Sequence, residues 1–252
     1  MSNTFHRVGN GPHPVIVLHG WFGDSHAFAP MEEALSGNEF TYIFMDYRGY
    51  GGMYSVTGAY TIDEIAADTL TLADSLGFDT FSLIGHSMGG MAIERVAMLA
   101  PERVRMLIPV APVPSCGVTF DQVRQSLFDG AAESIENRKI IIDRSTGQRL
   151  SASWINWKAR YSIDNSSKTA FAAYLNAWSN TNFSSGIQQA PHKVRVLIGE
   201  HDPTFNASLM RSTYLSWYPQ AQLEILPNAG HYPMNEAPVA LATSIENFLR
   251  EI

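Results

Sequence analysis

Short runs of bulky apolar residues recur along the chain, separated by longer stretches in which apolar positions return every three or four residues. The runs are Val15-Ile16-Val17-Leu18, Tyr42-Ile43-Phe44-Met45, Phe81-Ser82-Leu83-Ile84, Met106 to Val110, Val194 to Ile198 and Leu223-Glu224-Ile225-Leu226. Most lack clean alternation, the pattern of strands buried on both faces. The intervening stretches read as helices over Ile62 to Leu76, Met88 to Ala100, Ser208 to Trp217 and Pro238 to Leu249. Thr61, with Glu64 three residues on, marks the start of the first of these, and Pro101 stops the second. Strands alternating with helices predict an α/β fold, a mostly parallel sheet covered by helices on both faces. Only about a dozen residues precede the first clear run. The N-terminal edge strands are therefore expected to be reduced, leaving six or seven strands in the sheet.

Between Val113 and Pro191 the rhythm changes. This region has helical patterns, no convincing buried run, and three of the five tryptophans (Trp154, Trp157, Trp178). It reads as a helical insertion between two strands, so residues 1–112 and 191–252 form the core and 113–190 the insertion.

Composition narrows the function classes. Lys and Arg total 17 against 24 Asp and Glu, a formal charge of −7. That argues against a nucleic-acid partner, which needs a basic surface. No apolar stretch reaches membrane-spanning length, and Met1 to Arg7 lack the layout of a signal peptide. The single cysteine, Cys116, allows no intrachain disulfide. A soluble, cytoplasmic protein is expected. His6, His13, His26 and His192 share no metal-ligand spacing, and no phosphate-cradling or dinucleotide loop is present. No metal and no cofactor are implied.

One motif carries the chemistry. Gly85-His86-Ser87-Met88-Gly89 reads G-x-S-x-G between a strand-like run and a helical pattern, the context of a nucleophile elbow. The two glycines leave room for a strained turn that lifts Ser87 clear of the sheet edge. A serine hydroxyl needs a base to take its proton, and that base needs an orienting acid. Asp202 follows the run ending near Gly199, and His231 follows the run ending at Leu226. The chain order Ser, Asp, His, each beyond a strand, brings the three to one edge of one sheet. Glu200 competes with Asp202 as the acid, and Asp202 is favoured; the segment after Val110 offers no carboxylate. The N–H groups of Met88 and of Trp21, in Leu18-His19-Gly20-Trp21-Phe22-Gly23, are expected to form the oxyanion hole. His19 reads as support for that loop, and His86 as a packed neighbour of the nucleophile.

With these pieces assembled, the chain resembles the α/β-hydrolase fold superfamily. The matching segments are His19-Gly20-Trp21, Asp46-Tyr47-Arg48-Gly49-Tyr50-Gly51, Gly85 to Gly90, Ala100-Pro101-Glu102-Arg103-Val104, Gly199 to Pro203 and Asn228-Ala229-Gly230-His231. The elbow is similar to that of cofactor-free bacterial esterases, enol-lactonases and perhydrolases. The resemblance implies a Ser-His-Asp hydrolase whose insertion at 113–190 is a cap over the site. Gly51-Gly52 departs from the family's commoner ending of that loop, and Asp46 and Arg48 there read as structural.

The aromatic-rich insertion predicts a mostly apolar pocket for a small to medium ester or lactone, lined by Trp21, Trp154, Trp157, Trp178 and Tyr232. Lys158, Arg160 and Arg144 are the cations able to hold a carboxylate-bearing substrate, although a surface position is the ordinary fate of each. Three alternatives share the same residues: a carbon–carbon bond hydrolase, a cofactor-free dioxygenase using the His-Asp pair as base, and a small-molecule receptor with a vestigial triad.

Overall fold

The computed structural model describes residues 3–251. Met1 and Ser2, part of the N-terminal stretch read above, lie outside the described residues. Seven strands form one sheet: β1 (Phe5–Val8), β2 (His13–Leu18), β3 (Phe40–Met45), β4 (Phe81–His86), β5 (Val104–Val110), β6 (Lys193–Gly199) and β7 (Ala221–Leu226). Their order is β1-β3-β2-β4-β5-β6-β7. All neighbours are parallel except β1, which pairs antiparallel with β3, from Phe5 opposite Met45 to Val8 opposite Tyr42. The sequence pattern passes over β1. Its residues alternate between exposed and half-buried, as on an edge strand with one face against the core, and His6 and Arg7 break the apolar run.

The helices of the core are α1 (Ala29–Glu32), α2 (Ile62–Ser75) and α3 (Met88–Leu99). Four more, α4 (Gln122–Asp129), α5 (Ile135–Ser145), α6 (Ala152–Asp164) and α7 (Lys168–Asn180), lie between β5 and β6. The chain ends with α8 (Ala207–Ser212), α9 (Tyr214–Trp217), α10 (Pro233–Glu236) and α11 (Pro238–Leu249). β3 and β4 are buried throughout, and β2 almost so, which accounts for their unbroken apolar runs.

Local chemistry starts the helices. Thr61 accepts the N–H of Glu64 at 3.1 Å. The Glu64 carboxylate, however, takes the N–H groups of Ala59 and Tyr60, both at 2.9 Å, instead of returning to Thr61 as a reciprocal capping box would. Each inserted helix begins with a capping side chain. Asp121, Ser134, Ser151 and Ser167 accept the N–H groups of Arg124, Asn137, Trp154 and Ala170. The helix expected from Ser208 to Trp217 is two helices. Thr213, between them, has φ −118° and ψ −96°, far from helical values.

No helix among the described residues is long and apolar enough to cross a membrane. Among the same residues, no group of three or more His, Cys, Asp or Glu is placed to hold a metal ion.

Candidate active site

Ser87 stands between β4 and α3 with φ 53° and ψ −116°. A left-handed φ on a residue with a side chain costs on the order of 1–3 kcal/mol and persists only where neighbours impose it. Three backbone hydrogen bonds impose it here. The Ser87 N–H donates to Val110 O at 3.0 Å, and Ser87 O accepts from Gly90 at 2.8 Å and Val113 at 3.0 Å. The flanking glycines are required by close approach. A Cβ on Gly85 would collide with the Gly89 carbonyl, and one on Gly89 with the carbonyl of Leu18 in β2.

Ser87, Asp202 and His231 form one hydrogen-bonded chain. His231 Nε2 lies 3.1 Å from Ser87 Oγ, and His231 Nδ1 lies 2.7 Å from Asp202 Oδ2. The second oxygen of Asp202 accepts the N–H groups of Thr204 and Phe205, both at 2.9 Å. Both carboxylate oxygens are thus engaged, and the side chain is fully shielded from solvent. With Nδ1–H donating to Asp202, the lone pair of Nε2 faces the serine, the tautomer a general base needs. Glu200 is exposed and accepts from the N–H of Asn228 at 3.3 Å, away from this chain of groups.

His86 has a role that the sequence reading did not assign. Its Nε2–H donates to the backbone carbonyl of His231 at 2.7 Å. Burial, with the charge of His231 adding to it, pulls its pKa well below the usual histidine value, so the ring is neutral. His86 thus fixes the backbone that carries the His231 ring. Its neighbour His231 also donates its N–H to Ser145 O, at the end of α5, at 3.1 Å.

The loop after β2 closes the other side of the serine. A Cβ on Gly20 would stand 2.7 Å from His86 Nδ1 and 3.1 Å from Ser87 Cβ, so only glycine lets this loop pass. His19 stacks on Tyr47 with centroids 3.8 Å apart, and its Nδ1–H donates to Gly20 O at 2.9 Å. Trp21 is clamped from three directions. Its indole N–H donates to Phe171 O of α7 at 2.7 Å, its ring stacks on Phe171 at 4.1 Å, and its carbonyl accepts from Tyr50 Oη at 3.0 Å. Beyond Phe171 lies the guanidinium of Arg138, 3.6 Å from the ring centroid. Met88 is the first residue of α3, where a helical N–H has no partner within the helix.

A cavity of about 370 Å³ opens from Ser87 into the inserted helices, with Trp21, Val113, Phe128, Trp178, His231 and Tyr232 among its walls. Of the tryptophans expected to line a pocket, Trp21 and Trp178 do so, as does Tyr232. Trp154 and Trp157 do not, which corrects the sequence expectation. α6 turns Ile155, Lys158, Ala159 and Ser162 inward, the i, i+3, i+4, i+7 stripe of an amphipathic helix. That places Trp154 on the flank, against Tyr232 at 5.6 Å, and leaves Trp157 50% exposed. The cations also divide: Arg144 and Arg124 reach the large cavity, Arg160 is exposed, and Lys158 is buried.

The family model for the alpha/beta hydrolase fold matches residues 13–238. The chain belongs to this family. Over 120 residues it is 35% identical to a fluoroacetate dehalogenase of a Burkholderia species, covering 46% of this chain and only 38% of that enzyme's length. It is 23% identical to Esterase YbfF of Escherichia coli (strain K12), over 94% of this chain and 93% of the esterase. Among solved structures, a hydrolase from Oleispira antarctica superposes with a TM-score of 0.89 at 17% identity, covering 99% of this alpha/beta hydrolase and 95% of that chain. The last likeness speaks for the fold alone.

Proposed function

We propose that this alpha/beta hydrolase is a serine hydrolase acting on a small to medium carboxylic ester or lactone through an acyl-enzyme. The reading rests on one observation, the continuous hydrogen-bonded path from Ser87 through His231 to Asp202. Ser87 Oγ attacks the carbonyl carbon as its proton passes to His231 Nε2. The N–H groups of Trp21 and Met88 receive the oxyanion. As the tetrahedral adduct collapses, His231 returns the proton to the leaving alkoxide, which departs as the alcohol of an ester or stays tethered to the acyl group as the freed hydroxyl of a lactone. Water then gives a proton to His231, its oxygen attacks the acyl carbon, and the acid is released with Ser87 Oγ reprotonated. Asp202 keeps the imidazole in its tautomer throughout. The inserted helices at 113–190 act as a cap that walls the pocket, with Trp21, Trp178 and Tyr232 as its aromatic lining. No cofactor or metal enters this scheme, and the protein is assigned to the cytoplasm.

The test is hydrolysis of 4-nitrophenyl esters of increasing acyl length by the wild type and by Ser87→Ala. Multiple turnover that falls by 10³-fold or more in the variant is expected, the residual rate coming from binding and the oxyanion donors. A correctly folded wild type without turnover on any ester overturns the reading. Oxygen uptake, cleavage of a vinylogous diketone, or tight binding without turnover would then identify the oxygenase, carbon–carbon hydrolase or receptor alternative.

A further inference from the structure

A second, much smaller recess meets the large cavity at Ser87. Its volume is about 10 Å³, and its walls include Gly20, Trp21, Ser87, Lys158 and His231. That is room for about one water-sized group. The two spaces share Trp21, Phe22, Ser87, His231 and Tyr232 and are otherwise walled by different residues. The large one carries Asp202 and Phe205 along its wall, on the His231 side. The recess runs past the Gly20-Trp21 loop toward Ala27 and Met234.

Lys158 is the unusual member of the recess. It is 2% exposed, and among the described residues its ammonium forms no hydrogen bond and no ion pair. Its neighbours are aromatic faces: Nζ lies 5.2 Å from the Tyr232 centroid, 5.7 Å from Tyr161 and 6.0 Å from Trp157. Asp24, the carboxylate whose charge acts on it, is engaged elsewhere, accepting from Tyr161 Oη at 2.7 Å and the His26 N–H at 2.9 Å. Burying an ammonium without a partner costs several kcal/mol, and ring faces recover only part of that. Burial pulls its pKa to about 8, so it remains mostly charged at neutral pH. Lys158 thus borders a one-water space beside Ser87 with no protein acceptor on its ammonium among the described residues.

We propose that the recess takes the α-oxygen of a short acyl group and that Lys158 receives it, so that the substrate is an ester of a small 2-hydroxy or 2-oxo acid. The assignment rests on the serine-hydrolase reading. The leaving group takes its proton from His231 and goes to the large, mostly apolar cavity. The α-oxygen fills the one-water space and gives the ammonium an acceptor that no protein group among the described residues supplies. An acyl group without that oxygen leaves the lysine buried and unpaired, a penalty that discriminates strongly between substrates of equal size.

The experiment compares 4-nitrophenyl esters of lactic and propionic acid, each rate normalised to hydroxide-catalysed hydrolysis of the same ester. For the wild type, normalised kcat/KM favours the lactoyl ester by about 10-fold or more, as expected for one charged hydrogen bond. In Lys158→Met, which keeps the side chain's bulk without its charge, that ratio falls to about one. Lys158→Gln serves if the methionine variant does not fold. A ratio near one in the wild type, or an unchanged ratio in both variants, overturns the proposal. Turnover of longer acyl esters but of neither of these overturns the proposal; if no ester of any length is cleaved, the hydrolase reading fails separately, and binding decides: lactate and propionate are titrated into wild type and Lys158→Met by calorimetry. Tighter binding of lactate that is lost in the variant sustains the subsite, and equal binding removes it.

Discussion

Asp202 and Trp21 stand on opposite sides of the same serine and are held by different means. The Asp202 carboxylate is fixed by N–H groups two and three residues along its own turn, and the turn follows directly from β6. Trp21 is fixed from afar, by Phe171 O 150 residues away and Tyr50 Oη 29 residues away. One arm of the site is therefore a local property of a strand and its loop. The other is complete only once the inserted helices have packed onto the core. The difference separates the part of the site that the core can build alone from the part that depends on the insertion.

Asp202→Asn tests the local arm and carries the largest expected effect. An amide cannot hold His231 in the required tautomer, so turnover should fall by about 10³–10⁴-fold while the unfolding midpoint stays close to the wild type. A large loss of stability would mean that the carboxylate is structural.

Phe171→Ala tests the distant arm. It removes a buried ring sandwiched between Trp21 and Arg138, which should cost about 3–5 kcal/mol in denaturant unfolding. It should also lower kcat/KM by about 10–100-fold, because Trp21 loses its platform. Reduced stability with unchanged kcat/KM would show that α7 stabilises the protein without positioning the donor loop.

Glu94 sharpens the comparison from beneath. It lies on α3, fully buried, accepting from Tyr218 Oη and the Ser115 N–H, both at 3.0 Å. Burial pushes its pKa up to about 8 despite those donors. The folded state thus keeps a proton that the unfolded chain releases near pH 4.5, and stability should decline as pH rises from 4.5 to 8. Glu94→Gln should flatten that decline, leaving the variant more stable than wild type at pH 8.5 by an amount on the order of a few kcal/mol. Urea titrations at pH 5 and pH 8.5 measure both slopes, and parallel slopes would refute the assignment.

The smallest effect belongs to Tyr50→Phe. One hydrogen bond to the Trp21 carbonyl is lost, costing about 1 kcal/mol of stability and a few-fold in kcat/KM. Double mutation with Phe171→Ala should be non-additive if both act through Trp21.

The same division governs what the sequence reveals. The buried strands announce themselves as apolar runs because both faces are covered, and Ser87, Asp202 and His231 are legible because each follows such a run in order. β1 escapes because an edge strand buries one face only and its residues include His6 and Arg7. The break at Thr213 leaves no signal, since threonine is compatible with a helix and tertiary packing sets its backbone. Trp154 and Trp157 mislead because composition does not say which stripe of α6 faces inward; the stripe through Ile155, Ala159 and Ser162 decides it. The same stripe brings Lys158 inside, against the usual expectation for lysine. His86 looks like filler until the carbonyl of His231 comes within reach of its ring.

The bond between Val113 N–H and Ser87 O joins the first residue of the insertion to Ser87 itself. The leading stem, stiffened by Pro112 and Pro114, is therefore pinned at Ser87. A helical layer that swings open must pivot beyond this stem, and the far helices travel while the near end stays still. Tension along the stem would reach the elbow's strained turn directly, making the reactivity of the serine sensitive to the posture of the roof above it.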